Sequence, residues 1–251
     1  MIMSDLKDAS EKLTNLLRLT SYPLGVRFFE RKSDVPTFFK KPEAKVNLCQ
    51  LMALARQNGL LVAGGAENMV CVAGAAFLGM VKIPDRLASG ELSVPYHLNK
   101  TVAKRKMDFI PALGKAHEAM GFFPLGKILM DPDVVLIYGD AAQMMRLVQA
   151  HVYHDGIPLD ITTVGEFACA YSIAYPIIKK KAHLTIPCYG EKKYAQVSDD
   201  QIVFSIPFEL LDRIIEGLTE THKKGARLPI IRQLDYIPAM SDAWRVSRED
   251  L

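Results

Sequence analysis

Four cysteines, Cys49, Cys71, Cys169 and Cys188, are the residues of this chain whose type promises the most chemistry. A thiolate binds zinc and iron–sulfur clusters, and it is also a nucleophile. None of the four sits in a C-x-x-C pair, so zinc-ribbon and ferredoxin spacings are absent. Thiols this dispersed suit an iron–sulfur cluster of the 4Fe-4S type, whose ligands converge from distant segments, better than structural zinc with its paired knuckles. A plainer role stands beside that one. Free cysteine is among the most buried residue types and packs as a small hydrophobe. Cysteine-dependent catalysis is least favoured, because no Cys–His pairing is visible in the spacing.

The elements that must position these thiols follow from periodicity. A helical rhythm at about 4–19 leads to a strand at 25–30 (GVRFFE). VNLCQLMALARQNG has helical spacing and a Gly59 stop, and it carries Cys49. A short strand at 60–63, a Gly64-Gly65 turn and a helix over 67–80 bring in Cys71. Further on, DVVLIYG (133–139) is a strand and 141–156 a helix closed by Gly156. IPLDITTVG is then a strand and turn, and EFACAYSIAYP a helix bearing Cys169.

The two halves of the chain repeat landmarks in one order. E-N-M-V-C matches E-F-A-C, LSVPY (92–96) matches LTIPC (184–188), and DFIPAL matches FSIPFEL, each opening a helix. Cys71 then pairs with Cys169, and Cys188 takes the place of Tyr96. The expected fold class is α+β: two pseudo-symmetric α/β repeats, 20–125 and 130–225, packed into one body. An N-terminal helix (1–19) and a C-terminal tail (226–251) lie outside the repeat. Small residues beside Cys71 and Cys169 would let their helices meet near the pseudo-twofold axis. Thr163-x-x-Glu166 has the form of a capping box, and Glu67 follows Gly64 in the same way, so both glutamates are expected to cap helices.

Bulk properties exclude several classes. With 251 residues the chain can bury a core without disulfide staples. A net charge of +3, spread along the chain, argues against nucleic acid as the main partner. The start lacks the apolar core of a signal peptide, and the apolar run at 69–81 falls short of the roughly 20 residues of a membrane span. A cytoplasmic protein with reduced cysteines is expected, without a membrane or nucleic-acid role. AGGAEN is not a nucleotide motif, and no G-x-S-x-G appears.

YPLGVRFF, the C-Q-x-x-x-x-A-R-x-x-G run from Cys49, E-x-x-x-C-x-x-G-A-x-x-L-G from Glu67 to Gly79, and I-P-C-x-G late in the chain together resemble the family catalogued as domain of unknown function 169. The resemblance covers most of residues 20–215. It implies an uncharacterised family found largely in anaerobic archaea and bacteria, with the cysteines part of its pattern and a redox or metal setting. After Cys188-Tyr-Gly the chain has Glu-Lys-Lys where the family pattern implies an acidic residue and then arginine, which puts an anion-binding role for that loop in doubt.

Two expectations follow. The first is a cytoplasmic iron–sulfur protein in which Cys49, Cys71, Cys169 and Cys188 ligate one cluster between the halves, for electron transfer or redox sensing with a partner protein. The second is a metal-free small-molecule binding or regulatory module with its pocket at the same seam and Arg56, Tyr96 and His97 as contacts. The sequence names no reaction and no oligomeric state. The apolar tail, RLPII with Trp244, is expected to cover its own core or that of a second copy in a homo-oligomer.

Overall fold

LGVRFF and VVLIYG are apolar at nearly every position, the pattern of strands covered on both faces. They form β1 (Leu24–Phe29) and β4 (Val134–Gly139), which pair antiparallel in the middle of the sheet. With β2 (Val62–Gly65), β3 (Ala119–Pro124), β5 (His183–Thr185) and β6 (Ile202–Pro207), they make one antiparallel sheet in the order β2-β3-β1-β4-β6-β5. The computed structural model describes residues 6–114, 116–231 and 247. Trp244 and most of the tail lie outside the described residues.

Alternation of side chains along each strand splits the core in two. Leu24, Val26, Leu136 and Tyr138 face one side, where α2 (Leu48–Asn58) and α3 (Val72–Phe77) pack. Val135, Ile137, Phe204 and Ile206 face the other, against α1 (Leu6–Leu17), α6 (Ala141–Val152) and α9 (Leu211–Lys223). The first layer is completed by short pieces: α4 (Asp85–Ala88), α5 (Lys100–Met107), a π-helical turn at Ala170–Ala174, α7 (Tyr175–Lys179) and α8 (Tyr189–Tyr194). Gly25 is what lets the central strands close up, since a Cβ there would stand 2.5 Å from the Phe123 ring on β3.

The α+β class is as expected, and the strands at β1 and β4 and the helices at α2 and α6 fall where periodicity puts them. Gly59 caps α2 in the left-handed region, φ 68°. Other landmarks of the proposed repeat differ. LSVPY is a 3₁₀ helix at Glu91–Tyr96, and DFIPAL opens no helix among the described residues. VAGG, expected to straddle a turn, is edge strand β2, and IPLDITTVG forms no strand. The helices after β1 and β4 lie on opposite faces of the sheet, whereas a two-fold axis between those strands would put them on one. No helix of the described residues is long and apolar enough to cross a membrane.

Candidate functional site

The short elements on the α2 face enclose a cavity of about 790 Å³. Each thiol reaches its wall by a different local device. Asn47 precedes α2, and its backbone N–H donates to Gln50 Oε1 (2.8 Å), the return half of a capping interaction that fixes the turn carrying Cys49. A parallel bridge between Val46 and Met69 lays the next segment alongside, with Val70 N–H donating to Val46 O at 2.9 Å. Cys71 follows at the start of α3. Gly74 then brings α3 against α2, where a Cβ would meet Leu48 Cβ at 3.1 Å. Cys169 precedes the π-helical turn, and Cys188, just past β5 and Pro187, precedes α8.

The structure therefore brings Cys49, Cys71, Cys169 and Cys188 to one cavity, together with Tyr96 and His97. Arg56 is buried and not on the wall. Its guanidinium stacks 4.2 Å from the centre of the Tyr138 ring, beneath the floor. Among the described residues no group of three or more His, Cys, Asp or Glu side chains is arranged to hold a metal ion. This corrects the expectation of a metal-binding, iron–sulfur, electron-transferring centre. The four thiols line the wall of one large cavity.

Burial dominates the electrostatics. It pushes the Cys49 thiol up to about 12, with Glu191, Cys188 and Cys71 adding repulsion. Cys169 is driven well up by burial and then by its neighbours Cys71, Cys188, Glu191 and Cys49. Cys188 is raised by burial and Glu191. These three thiols stay protonated at neutral pH, which makes them apolar lining groups and weak nucleophiles.

Sequence reasoning missed the carboxylates. Glu191 lies at the cavity floor, 1% exposed, and accepts a hydrogen bond from the Tyr138 hydroxyl at 2.8 Å. Burial raises its pKa, against the pull of Tyr138, the Cys188 backbone, Arg56 and Lys192. In Glu-Lys-Lys it has the sequence context of a solvated surface. Only its place three residues after Cys188, on the inward side of a short helix, distinguishes it. Tyr138 was hidden within an apolar strand.

Glu166 caps no helix. Its carboxylate accepts from Lys106 Nζ and from Ser93 Oγ (3.2 Å), tying the 164–167 loop to the turn that carries Tyr96 and His97. Lys106 is 9% exposed and lies 4.9 Å from the centre of the Phe167 ring. His97 Nδ1 donates to Ser93 O (2.8 Å), so Nδ1 carries the proton. Phe167 itself has φ 53°, a left-handed conformation costly for a bulky residue. Glu67 likewise serves an ion pair, with Lys32 at 2.9 Å.

Comparison with known proteins gives a family and no activity. The model of the DUF169 family, described as uncharacterised ArCR, matches residues 12–217. The chain is similar to the uncharacterized protein MJ0308 of Methanocaldococcus jannaschii, 26% identical over 222 residues that span 87% of this chain and 95% of that protein. No solved structure matches.

Proposed function

Starting from a chain that belongs to the uncharacterised DUF169 family, we propose that it is a metal-free small-molecule binding module, with regulation as its role and the cytoplasm as its compartment. One observation carries this. A cavity of about 790 Å³, mostly apolar, is walled by segments distant in sequence, from 47–49 to 188–194. That volume falls within the roughly 300–1,000 Å³ of small-ligand sites. Neutral thiols, Tyr96, Tyr189, Tyr194 and Phe167 offer contact area, and few polar groups interrupt it. The raised thiol pKa values favour binding over nucleophilic catalysis.

The strand order also supports a duplication, of strands alone. Outward from β1 and β4 the order is β3 then β2 on one side and β6 then β5 on the other. The matched cysteines are then Cys71 and Cys188, each just beyond an edge strand, in place of Cys71 and Cys169.

Anaerobic purification followed by metal analysis and native mass spectrometry tests the assignment. The expected protein is colourless, lacks stoichiometric metal, and is stabilised against heat by apolar ligands of suitable size. Iron and sulfide in the purified protein, lost in each single Cys→Ser variant, would overturn it.

A further inference from the structure

Buried polar atoms in native proteins almost always have partners, so one that lacks a partner inside a cavity points to what the cavity is built to receive. Several buried side-chain atoms have no hydrogen-bond partner among the described residues, and of these only Glu191 Oε2 belongs to a residue lining the cavity. The others lie off its wall, among them Ser172 Oγ, Thr185 Oγ1, Ser205 Oγ and Arg56 Nη2, whose guanidinium attracts the Glu191 carboxylate without hydrogen-bonding Oε2. An orphaned carboxylate oxygen costs more than an orphaned hydroxyl, because the full desolvation of a charged acceptor is left unanswered.

Burial favours the neutral acid, but the hydrogen-bonding and charged groups that act on this carboxyl suit its ionised form. The Tyr138 hydroxyl donates to Oε1. The Cys188 backbone N–H and the positive charges of Arg56 and Lys192 act in the same sense. An ionised carboxylate only accepts. What is missing at Oε2 is therefore one more donor, and the rest of the lining asks for an apolar body. The lysines near the mouth are engaged in other ways. Lys106 pairs with Glu166, and Lys193 Nζ lies 5.9 and 5.4 Å from the centres of the Tyr189 and Tyr194 rings.

Resting on the assignment of this cavity as a ligand site, we infer that its ligand is an apolar amine whose protonated nitrogen donates to Glu191 Oε2. A charge-assisted bond of this kind is about twice as strong as a neutral one, and it completes the coordination of the buried carboxylate. Glu191 thereby becomes the residue that selects among apolar molecules of similar size, while the thiols and aromatic rings accommodate the body.

The test uses three probes of one shape on the full chain: 2-phenylethylamine, 3-phenylpropionate and ethylbenzene, titrated by calorimetry and ligand-observed NMR. The amine is expected to bind at least about tenfold more tightly than either of the others. In Glu191→Gln that preference should vanish while ethylbenzene affinity stays unchanged, which also shows that the variant pocket is folded. Should the variant fail to fold, the ranking of the three probes on the unaltered protein decides alone. Equal or tighter binding of the acid, or an amine preference that survives in Glu191→Gln, overturns the inference but leaves the cavity a ligand site. Failure of all three probes to bind overturns both.

Discussion

The two faces of the sheet are built on different plans. One is covered by α1, α6 and α9, of 12, 12 and 13 residues, whose apolar stripes pack on Val135, Ile137, Phe204 and Ile206. The other is covered by α2 and by pieces of only five or six residues, α3, α7 and α8, with a π-helical turn between them. Long helices bury a regular stripe and leave no room beside it. Short ones each end at a loop, and their ends deliver Cys71, Cys169, Cys188 and Glu191 to a common space. Both faces bury an apolar core, and only the second combines it with a cavity.

The largest effect that separates the faces should come from truncation. Phe204 is fully buried among α6 and α9 residues, so Phe204→Ala should cost about 3–5 kcal/mol in urea unfolding. Cys169→Ala, at a wall that already borders open space, should cost about 1 kcal/mol or less. Equal losses would mean that the cavity is closed and packed in solution.

A smaller effect is expected where the cavity wall is tied down. Glu166→Gln keeps the shape but leaves the Lys106 ammonium buried without its counter-charge. Loss of about 1–3 kcal/mol should follow, less than for a fully buried pair because Glu166 is partly exposed. Unfolding of the double variant Lys106→Met with Glu166→Gln checks the cause, since it should recover part of the loss.

Glycines offer a finer contrast. A Cβ at Gly217 would lie 2.4 Å from Ala150 O, where α9 crosses α6, so Gly217→Ala should destabilise by about 1–3 kcal/mol. At Gly190, in α8, the nearest atom to an added Cβ is Cys188 Sγ at 3.7 Å. Gly190→Ala should leave stability unchanged or raise it by up to about 1 kcal/mol through the helix. Thermal melts of the two variants side by side would measure the difference in packing between the faces.

The closed face and the sheet centre were legible in sequence, the cavity face much less so. LKDASEKLTNLL and AAQMMRLVQAHV carry a 3.6-residue rhythm over three turns, and VVLIYG has the unbroken apolar run of a central strand. On the other face α2 shows its period, but the pieces that complete the cavity are too short to show one. The run at 69–81 appears as one helix because its residues are uniformly small and apolar, yet α3 ends at Phe77. VAGG looks like a turn because glycine is poor in strands, although close packing at the sheet edge selects it. LSVPY and LTIPC share a pattern but not a structure, since β6 is there to pair with Thr185 and no strand is there for Val94. The four cysteines line one cavity, but the landmark order from which their meeting was expected does not correspond to matching elements. The cavity itself was not legible, because spacing along a chain says nothing of the space its segments enclose.

The smallest effect is in a slope, and it isolates Glu191. Its folded pKa lies above the ordinary 4.5 because it is buried. Below pH 4.5 the carboxyl is protonated in folded and unfolded chains alike, and its titration contributes nothing to stability. As pH rises from there, the unfolded chain releases its proton first while the folded chain holds it, so stability falls. Above the raised value the loss is complete and constant. Glu191→Gln cannot ionise and retains an oxygen for the Tyr138 hydroxyl, so it lacks this fall. Urea unfolding of both proteins across the carboxyl range should therefore show the variant gaining on the unaltered chain as pH rises, and then holding a constant lead. A variant that loses ground instead would mean that Tyr138, the Cys188 amide and Arg56 outweigh burial. The floor of the cavity would then hold a settled carboxylate with no demand for a further donor.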